Sequence, residues 1–144
     1  MSGKTHKIWL KISSILSMLY AALFFLGSIP KTKGAIEFVL DISSWPFDNV
    51  QNYDANTTEF LSAISGGILF GWAILIWLLS SKIYDLAPEQ VRKIVLISLL
   101  SWFVVDSSGS IFSGNSNNAV TNIFLLIILV GPLWVPAKNI KYAT

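Results

Sequence analysis

One carboxylate interrupts a stretch that is otherwise apolar enough to cross a lipid bilayer. Asp106 is the only charged residue in the run VLISLLSWFVVDSSGSIFSG. A charge at membrane depth costs at least about 2.5–3.5 kcal/mol, and such residues typically mark proton, ion or ligand sites. The chemistry that Asp106 offers is therefore binding of a proton, a cation or a small polar ligand.

The neighbours of Asp106 carry hydroxyls and amides. At three- and four-residue spacing, Trp102 and Ser110 share a helix face with Asp106, and Ser113 follows them. Glu59, on another segment, would lie about 10 Å from Asp106 along the bilayer normal. The candidate ligand- or ion-binding residues are Asp106, Ser107, Ser110, Ser113, Asn118, Asn122, Trp102 and Glu59.

The short connection after Ser113 predicts that the third and fourth helices are antiparallel neighbours. Reflecting the chain about a turn near residues 115–116 places Ser110 level with Asn122. Asp106 is then expected one turn deeper, opposite apolar side chains only.

Two interpretations of this cluster compete. Hydroxyls and amides could lock the helices together, each bond contributing about 0.6 kcal/mol. Such a lock needs no carboxylate, so we expect a functional role for Asp106 and helix-locking roles for the serines and asparagines taken singly. Glu59 also has a structural alternative, because Asn56-Thr57-Thr58-Glu59 matches a helix capping box.

Composition excludes several kinds of catalytic site. The chain has no cysteine and a single histidine, His6, which we expect to be solvated or to face lipid headgroups. Thiolate chemistry, histidine-rich metal sites and a serine–histidine nucleophile near Asp106 are thereby excluded. We predict no catalytic residue, no cofactor and no metal. The small, scattered net charge of +2 indicates no nucleic acid partner.

The elements that must position these residues are membrane helices. Of the 144 residues, 53% are hydrophobic and 12% are charged. This composition is typical of a membrane protein. Four apolar segments span residues 8–29, 60–80, 94–112 and 119–135. Each approaches the length of about 20 residues that a membrane helix needs. The sequence predicts an all-α polytopic membrane protein, a single domain of four transmembrane helices in an antiparallel bundle.

The predicted outer loop, 30–57, contains a short amphipathic segment. Between residues 35 and 45, Ile36, Leu40 and Ser43 share one face, whereas Asp41 lies on another. This spacing predicts a short helix lying in the membrane interface, ended by Pro46.

Basic residues indicate the orientation. Lys4, Lys7 and Lys11 begin the first helix, Lys82, Arg92 and Lys93 flank the connection between helices two and three, and Lys138 and Lys141 follow helix four. The positive-inside rule places both termini in the cytoplasm. We therefore expect a multi-pass protein of the cell inner membrane.

Small residues recur every four positions on the second helix, at Ala63, Gly67 and Gly71. This spacing lets two helices approach closely. The partner is either another helix of this chain, which we favour, or a second copy. The expected partners are the lipid bilayer and either a homo-oligomer or a larger membrane complex.

The segments FVLDISSWPFDNVQ, FLSAISGGILFGW and WFVVDSSGS resemble small uncharacterised bacterial four-helix membrane proteins. The resemblance spans about residues 36–115 and implies a fold but no activity. The small multidrug transporters share only size and helix count with this chain. Their essential glutamate lies in helix one, and helix one of this chain has no acidic residue.

The leading functional hypothesis is a non-enzymatic membrane protein with an outward-facing polar pocket around Asp106. It would bind a ligand or serve as an accessory subunit. One alternative is a small ion- or proton-coupled transporter working as a homo-oligomer. The other is a membrane enzyme acting on lipid headgroups.

Overall fold

The described part of the chain is helical and contains no strand. The computed structural model describes residues 3–44, 46, 48 and 56–137. The helices are α1 (Gly3–Gly27), α2 (Gly34–Ser44), α3 (Asn56–Leu78), α4 (Pro88–Phe112) and α5 (Ser116–Val130). A π-helical turn, Leu79–Ile83, continues α3, and a 3₁₀ turn, Gly131–Trp134, continues α5.

Four helical stretches are long and apolar enough to cross a membrane: Gly3–Gly27, Asn56–Ile83, Pro88–Phe112 and Ser116–Trp134. The predicted all-α fold with four helices long and apolar enough to span a membrane is confirmed. The first stretch begins at Gly3 rather than near residue 8, because the lysine-containing first turns are also helical.

α1 packs against α3 through small and polar side chains. Ser14 Oγ donates to the carbonyl oxygen of Ala73 at 2.7 Å, and Ser62 Oγ donates to that of Phe24 at 2.7 Å. The backbones are close at Gly66, where an added Cβ would lie 3.0 Å from a main-chain nitrogen of α1. In lipid there is no hydrophobic driving force between helices, so close packing at small residues and interhelical hydrogen bonds hold the helices together.

The small-residue stripe Ala63, Gly67 and Gly71 takes no part in this contact. All three residues are exposed, and a Cβ added at either glycine would meet nothing within 4 Å. Among the described residues the stripe therefore has no partner within the chain, contrary to the preference stated above. The reason is register: Ser62 and Gly66, one position earlier on the helix, face α1 and are buried.

The end of α5 is held by side chains of α1. The helix stops at Gly131, whose φ is +44°. Pro132 provides no N–H, so the last carbonyls of α5 lack helical donors. Trp9 Nε1 donates to the carbonyl of Ile128 at 3.1 Å, and Ser13 Oγ donates to that of Leu129 at 2.8 Å. In lipid, where water cannot substitute, such replacement donors are required.

α2 packs against both α1 and α5. Ile36 and Ser43 are buried, as the predicted face requires, but the expectation that Asp41 lies off the buried face is wrong. Asp41 is 2% exposed and its Oδ1 accepts a hydrogen bond from the main-chain nitrogen of Asp48 at 3.2 Å. Because α2 packs against two helices, it buries a wider arc of its surface than a single apolar stripe would cover.

Candidate functional site

The carboxylate of Asp106 is paired with an amide across the α4–α5 contact. Asn122 Nδ2 donates to Asp106 Oδ2 at 2.7 Å and to Ser107 Oγ at 3.3 Å. Asn122 is 2% exposed, Ser107 is buried and Asp106 is half-buried. At a rise of about 1.5 Å per residue, both Asp106 and Asn122 lie about 9 Å from the ends of their helices at this loop.

This pairing overturns the predicted register. The expectation that Asp106 lies one turn deeper than Asn122, opposite apolar side chains, is wrong. The chain reverses one residue earlier, at Gly114, whose φ is +84°. Main-chain bonds from Ser113 to Gly109 and from Asn115 to Ser110 close α4 just before this reversal.

A second set of hydrogen bonds between α4 and α5 lies one turn nearer the loop. Asn118 Nδ2 donates to Ser110 Oγ at 2.8 Å, and Ser110 Oγ donates to the carbonyl of Asp106 at 2.8 Å. Ser113 is exposed and donates to the carbonyl of Ser110 at 3.0 Å. We call Asp106, Ser107, Ser110, Asn118 and Asn122 the Asp106 cluster.

Two of the candidate residues are not joined to this cluster. Trp102 is half-buried one turn from Asp106 along α4, and it makes no hydrogen bond to the cluster among the described residues. Glu59 is half-buried in the first turn of α3, and within the described residues no hydrogen bond or ion pair links it to Asp106. The two carboxylates therefore do not form an acid–base pair.

A different polar cluster, which sequence reasoning missed, surrounds His6. The expectation of a solvated His6 is wrong, because the residue is 0% exposed. Its Nε2 donates to the carbonyl of Pro132 at 3.1 Å, so its Nδ1 accepts the hydroxyl hydrogen of Tyr84, also at 3.1 Å. Burial raises the pKa of Tyr84, and the negative charges of Glu89 and Asp85 raise it further.

An ion pair continues this cluster towards the C-terminal segment. Arg92 binds Glu89 through Nε at 2.8 Å and Nη2 at 2.6 Å, and its Nη1 donates to the carbonyl of Leu133. Glu89 Oε2 also accepts the main-chain N–H of Ala137 at 3.0 Å. These bonds hold the main chain that follows α5. We call His6, Tyr84, Glu89 and Arg92 the His6 cluster.

The sequence did contain a signal for the burial of His6. His6, Leu10, Ser14, Ser17 and Ala21 recur at three- and four-residue spacing, and all are buried on one face of α1. A histidine on the same stripe as the small packing residues is expected to face the protein. No sequence pattern indicated that Tyr84 would be its partner, because the contact spans 78 positions.

In the part of the chain that the structure describes, no group of three or more histidines or acidic residues is placed to hold a metal ion. Comparison with known proteins finds no matching family, no similar curated protein and no similar solved structure.

Proposed function

We propose that the four long helices form an antiparallel membrane bundle with both termini in the cytoplasm, and that α2 lies in the outer membrane interface. The contacts between α1 and α3 support opposite chain directions, since Ser14 approaches Ala73 while Phe24 approaches Ser62. At the α4–α5 contact, Asp106 pairs with Asn122 and Ser110 with Asn118, which supports opposite directions for these two helices as well. For a bacterial chain, this membrane is the inner membrane.

The basic residues agree with this orientation. Lys4 and Lys7 on α1 lie at the same end of the bundle as Asp85, to which Lys7 is ion-paired. Arg92 and Lys93 begin α4 at that end, whereas the α4–α5 loop has no lysine or arginine. Lys138 and Lys141 lie outside the described residues.

The proposed function is non-enzymatic ligand or ion binding at the Asp106 cluster, in a binding protein or accessory subunit open to the outer side. One observation carries the proposal. Asp106 is bonded by the neutral amide of Asn122, and no ion pair among the described residues involves it. An amide orients a carboxylate without neutralising its charge. The site therefore favours a cation or a polar ligand bearing a cationic group.

The geometry gives less support to an enzyme acting on lipid headgroups. Ser107 shares the Asn122 amide with the carboxylate, whereas Ser110 Oγ is bonded to Asn118 and to the main-chain carbonyl of Asp106. The single histidine of the chain, His6, lies at the opposite ends of the helices. A serine nucleophile would therefore lack a base to activate it.

A cation-coupled transporter is a second candidate, and one observation favours it. Ala63, Gly67 and Gly71 form an exposed small-residue stripe on α3 with no partner helix among the described residues. A second copy packed on this stripe would give the homo-oligomer that such a small transporter requires. A helix of a larger membrane complex could use the same stripe.

Two measurements test the proposal. Native mass spectrometry of gently extracted protein would show a homo-oligomer, a foreign subunit or a retained small molecule. Equilibrium binding of ²²Na⁺ and of tetraphenylphosphonium would then be compared for the wild type, Asp106→Asn and the control Glu59→Gln.

We expect one of these cations to bind, with about tenfold loss in Asp106→Asn, a change of about 1.4 kcal/mol, and none in Glu59→Gln. Proteoliposome flux that depends on Asp106 would select the transporter. Unchanged binding in a folded Asp106→Asn protein, or loss of stability with no binding by the wild type, would leave the cluster only a structural role.

A further inference from the structure

A cavity lies where the start of α1 meets the chain beyond the π-helical turn. Its volume is about 280 Å³, and it is lined by Gly3, Lys4, Lys7, Tyr84 and Asp85. Lys7 Nζ is bonded to Asp85 Oδ2 at 2.5 Å, and both Lys4 and Asp85 are exposed. The cavity thus combines an aromatic wall with two cations and one anion at its rim.

The position of the cavity corresponds to the headgroup layer of a membrane. Gly3 is the first residue of one candidate span, and Asp85 lies between the span that ends at Ile83 and the span that begins at Pro88. Close by in the chain, Lys11 Nζ lies 5.4 Å from the ring centroid of Trp77. Aromatic and lysine side chains of this kind are enriched at membrane–water interfaces. This placement holds whichever side of the membrane the cavity faces.

The charges at the rim discriminate between headgroup types. A purely anionic group would be attracted by Lys4 and Lys7 but repelled by Asp85. A purely cationic group would be attracted by Asp85 but repelled by Lys4 and Lys7. A group carrying both charges satisfies all three side chains, with its phosphate on the lysines and its ammonium on the carboxylate.

The Lys7–Asp85 pair supports this exchange. Lys7 and Asp85 would each exchange one opposite charge for another from the ligand, so neither would lose its counter-charge. A primary ammonium carries N–H donors for the carboxylate, as a lysine ammonium does, whereas a quaternary ammonium has none.

We infer that this cavity binds the headgroup of a zwitterionic phospholipid with a primary ammonium, of the phosphoethanolamine type. The hydroxyl of Tyr84 is bonded to His6, so Tyr84 contributes its ring as the wall of the cavity. An added Cβ at Gly3 would lie 3.6 Å from that ring, which shows how closely the ring approaches the first residue of α1. This inference does not depend on the proposed role of Asp106.

The test is native mass spectrometry of the full-length protein in micelles containing equimolar phosphatidylethanolamine, phosphatidylcholine and phosphatidylglycerol. The bound fraction of each lipid would be compared for the wild type, Lys4→Gln and Asp85→Asn. Lys82→Gln is the matched control, because Lys82 is exposed on the π-helical turn but does not line the cavity.

We expect phosphatidylethanolamine to be retained preferentially by the wild type. Lys4→Gln should lower its retention about fivefold, equivalent to about 1 kcal/mol for one lysine near a membrane surface. Asp85→Asn should abolish the preference over phosphatidylcholine, and Lys82→Gln should change nothing.

Equal retention of phosphatidylethanolamine and phosphatidylcholine by the wild type would overturn the inference. So would a preference for phosphatidylglycerol, or an equal loss in Lys82→Gln. Soluble glycerophosphoethanolamine would be added as a competitor. Displacement of the lipid at equal concentration would identify a soluble ligand and refute the lipid as the source of the headgroup.

Discussion

Gly131→Ala tests the account of how α5 ends. Gly131 has φ +44° and ψ −120°. These angles lie near the first central position of a type II′ turn, which strongly favours glycine. Alanine in such a conformation costs about 1–3 kcal/mol. A Cβ built here would also collide with Trp9 Nε1, so the indole must move.

Moving Trp9 adds a second cost. Its indole N–H supplies a hydrogen bond to the carbonyl of Ile128, which has no helical donor. Leaving that carbonyl unsatisfied costs about 1–3 kcal/mol. The total expected for Gly131→Ala is therefore about 2–6 kcal/mol of unfolding free energy.

A double-mutant cycle separates the two contributions. In a Trp9→Ala background the obstacle and the hydrogen bond are already gone, so Gly131→Ala should cost only the backbone strain. The coupling between the two substitutions should then be about 1–3 kcal/mol. The control is Gly109→Ala, at an exposed helical glycine where an added Cβ meets nothing within 4 Å.

The assay is reversible unfolding by sodium dodecyl sulfate in mixed micelles, which gives a free energy for each variant. Gly109→Ala should be neutral or stabilising by up to about 1 kcal/mol. If Gly131→Ala behaved like Gly109→Ala, the left-handed end of α5 and its contact with Trp9 would be wrong. Additivity with Trp9→Ala would refute the steric coupling alone.

The remaining predictions concern the His6 cluster and use the same unfolding assay. His6→Phe keeps an aromatic ring but leaves the buried Tyr84 hydroxyl without its acceptor, and the Pro132 carbonyl keeps only the main-chain N–H of Val135. The substitution should therefore destabilise the protein by about 2 kcal/mol, and a neutral effect would contradict the burial of His6. Glu89→Ala leaves the buried Arg92 guanidinium uncompensated and should cost about 3 kcal/mol; a cost below that of an exposed ion pair would contradict the burial of the pair.

The membrane fold could be predicted because it depends on composition and length. Four apolar stretches can be recognised in the sequence without any long-range contact. Their lengths match the span of about 20 residues that a bilayer requires. The packing face of α3 could not be predicted in this way. Ser62, Gly66 and the stripe beginning at Ala63 all have small-residue spacing, and only the position of α1 decides which set is buried.

The candidate site, too, could be predicted only in part from the sequence. The packing of α4 against α5 followed from the short loop between them. The pairing of Asp106 with Asn122 could not be predicted, because it depends on where Gly114 reverses the chain. An error of one residue at the turn displaces every pair of opposing residues. The His6–Tyr84 contact joins distant parts of the chain, and no local spacing predicts such a partner.

The two polar clusters differ in whether they serve main-chain groups. Arg92 donates to the carbonyl of Leu133, and His6 is a second donor to that of Pro132, which also accepts the main-chain N–H of Val135. Both carbonyls lie beyond the end of α5, where a membrane protein needs such donors. The His6 cluster therefore has a structural explanation. Asp106 and Asn122 lie within regular helices, whose main-chain groups their side-chain bond does not serve. Two apolar residues would pack the same contact without the cost of a carboxylate. Because this polar pair is not needed to satisfy main-chain groups, Asp106 is the residue for which we propose a ligand-binding function.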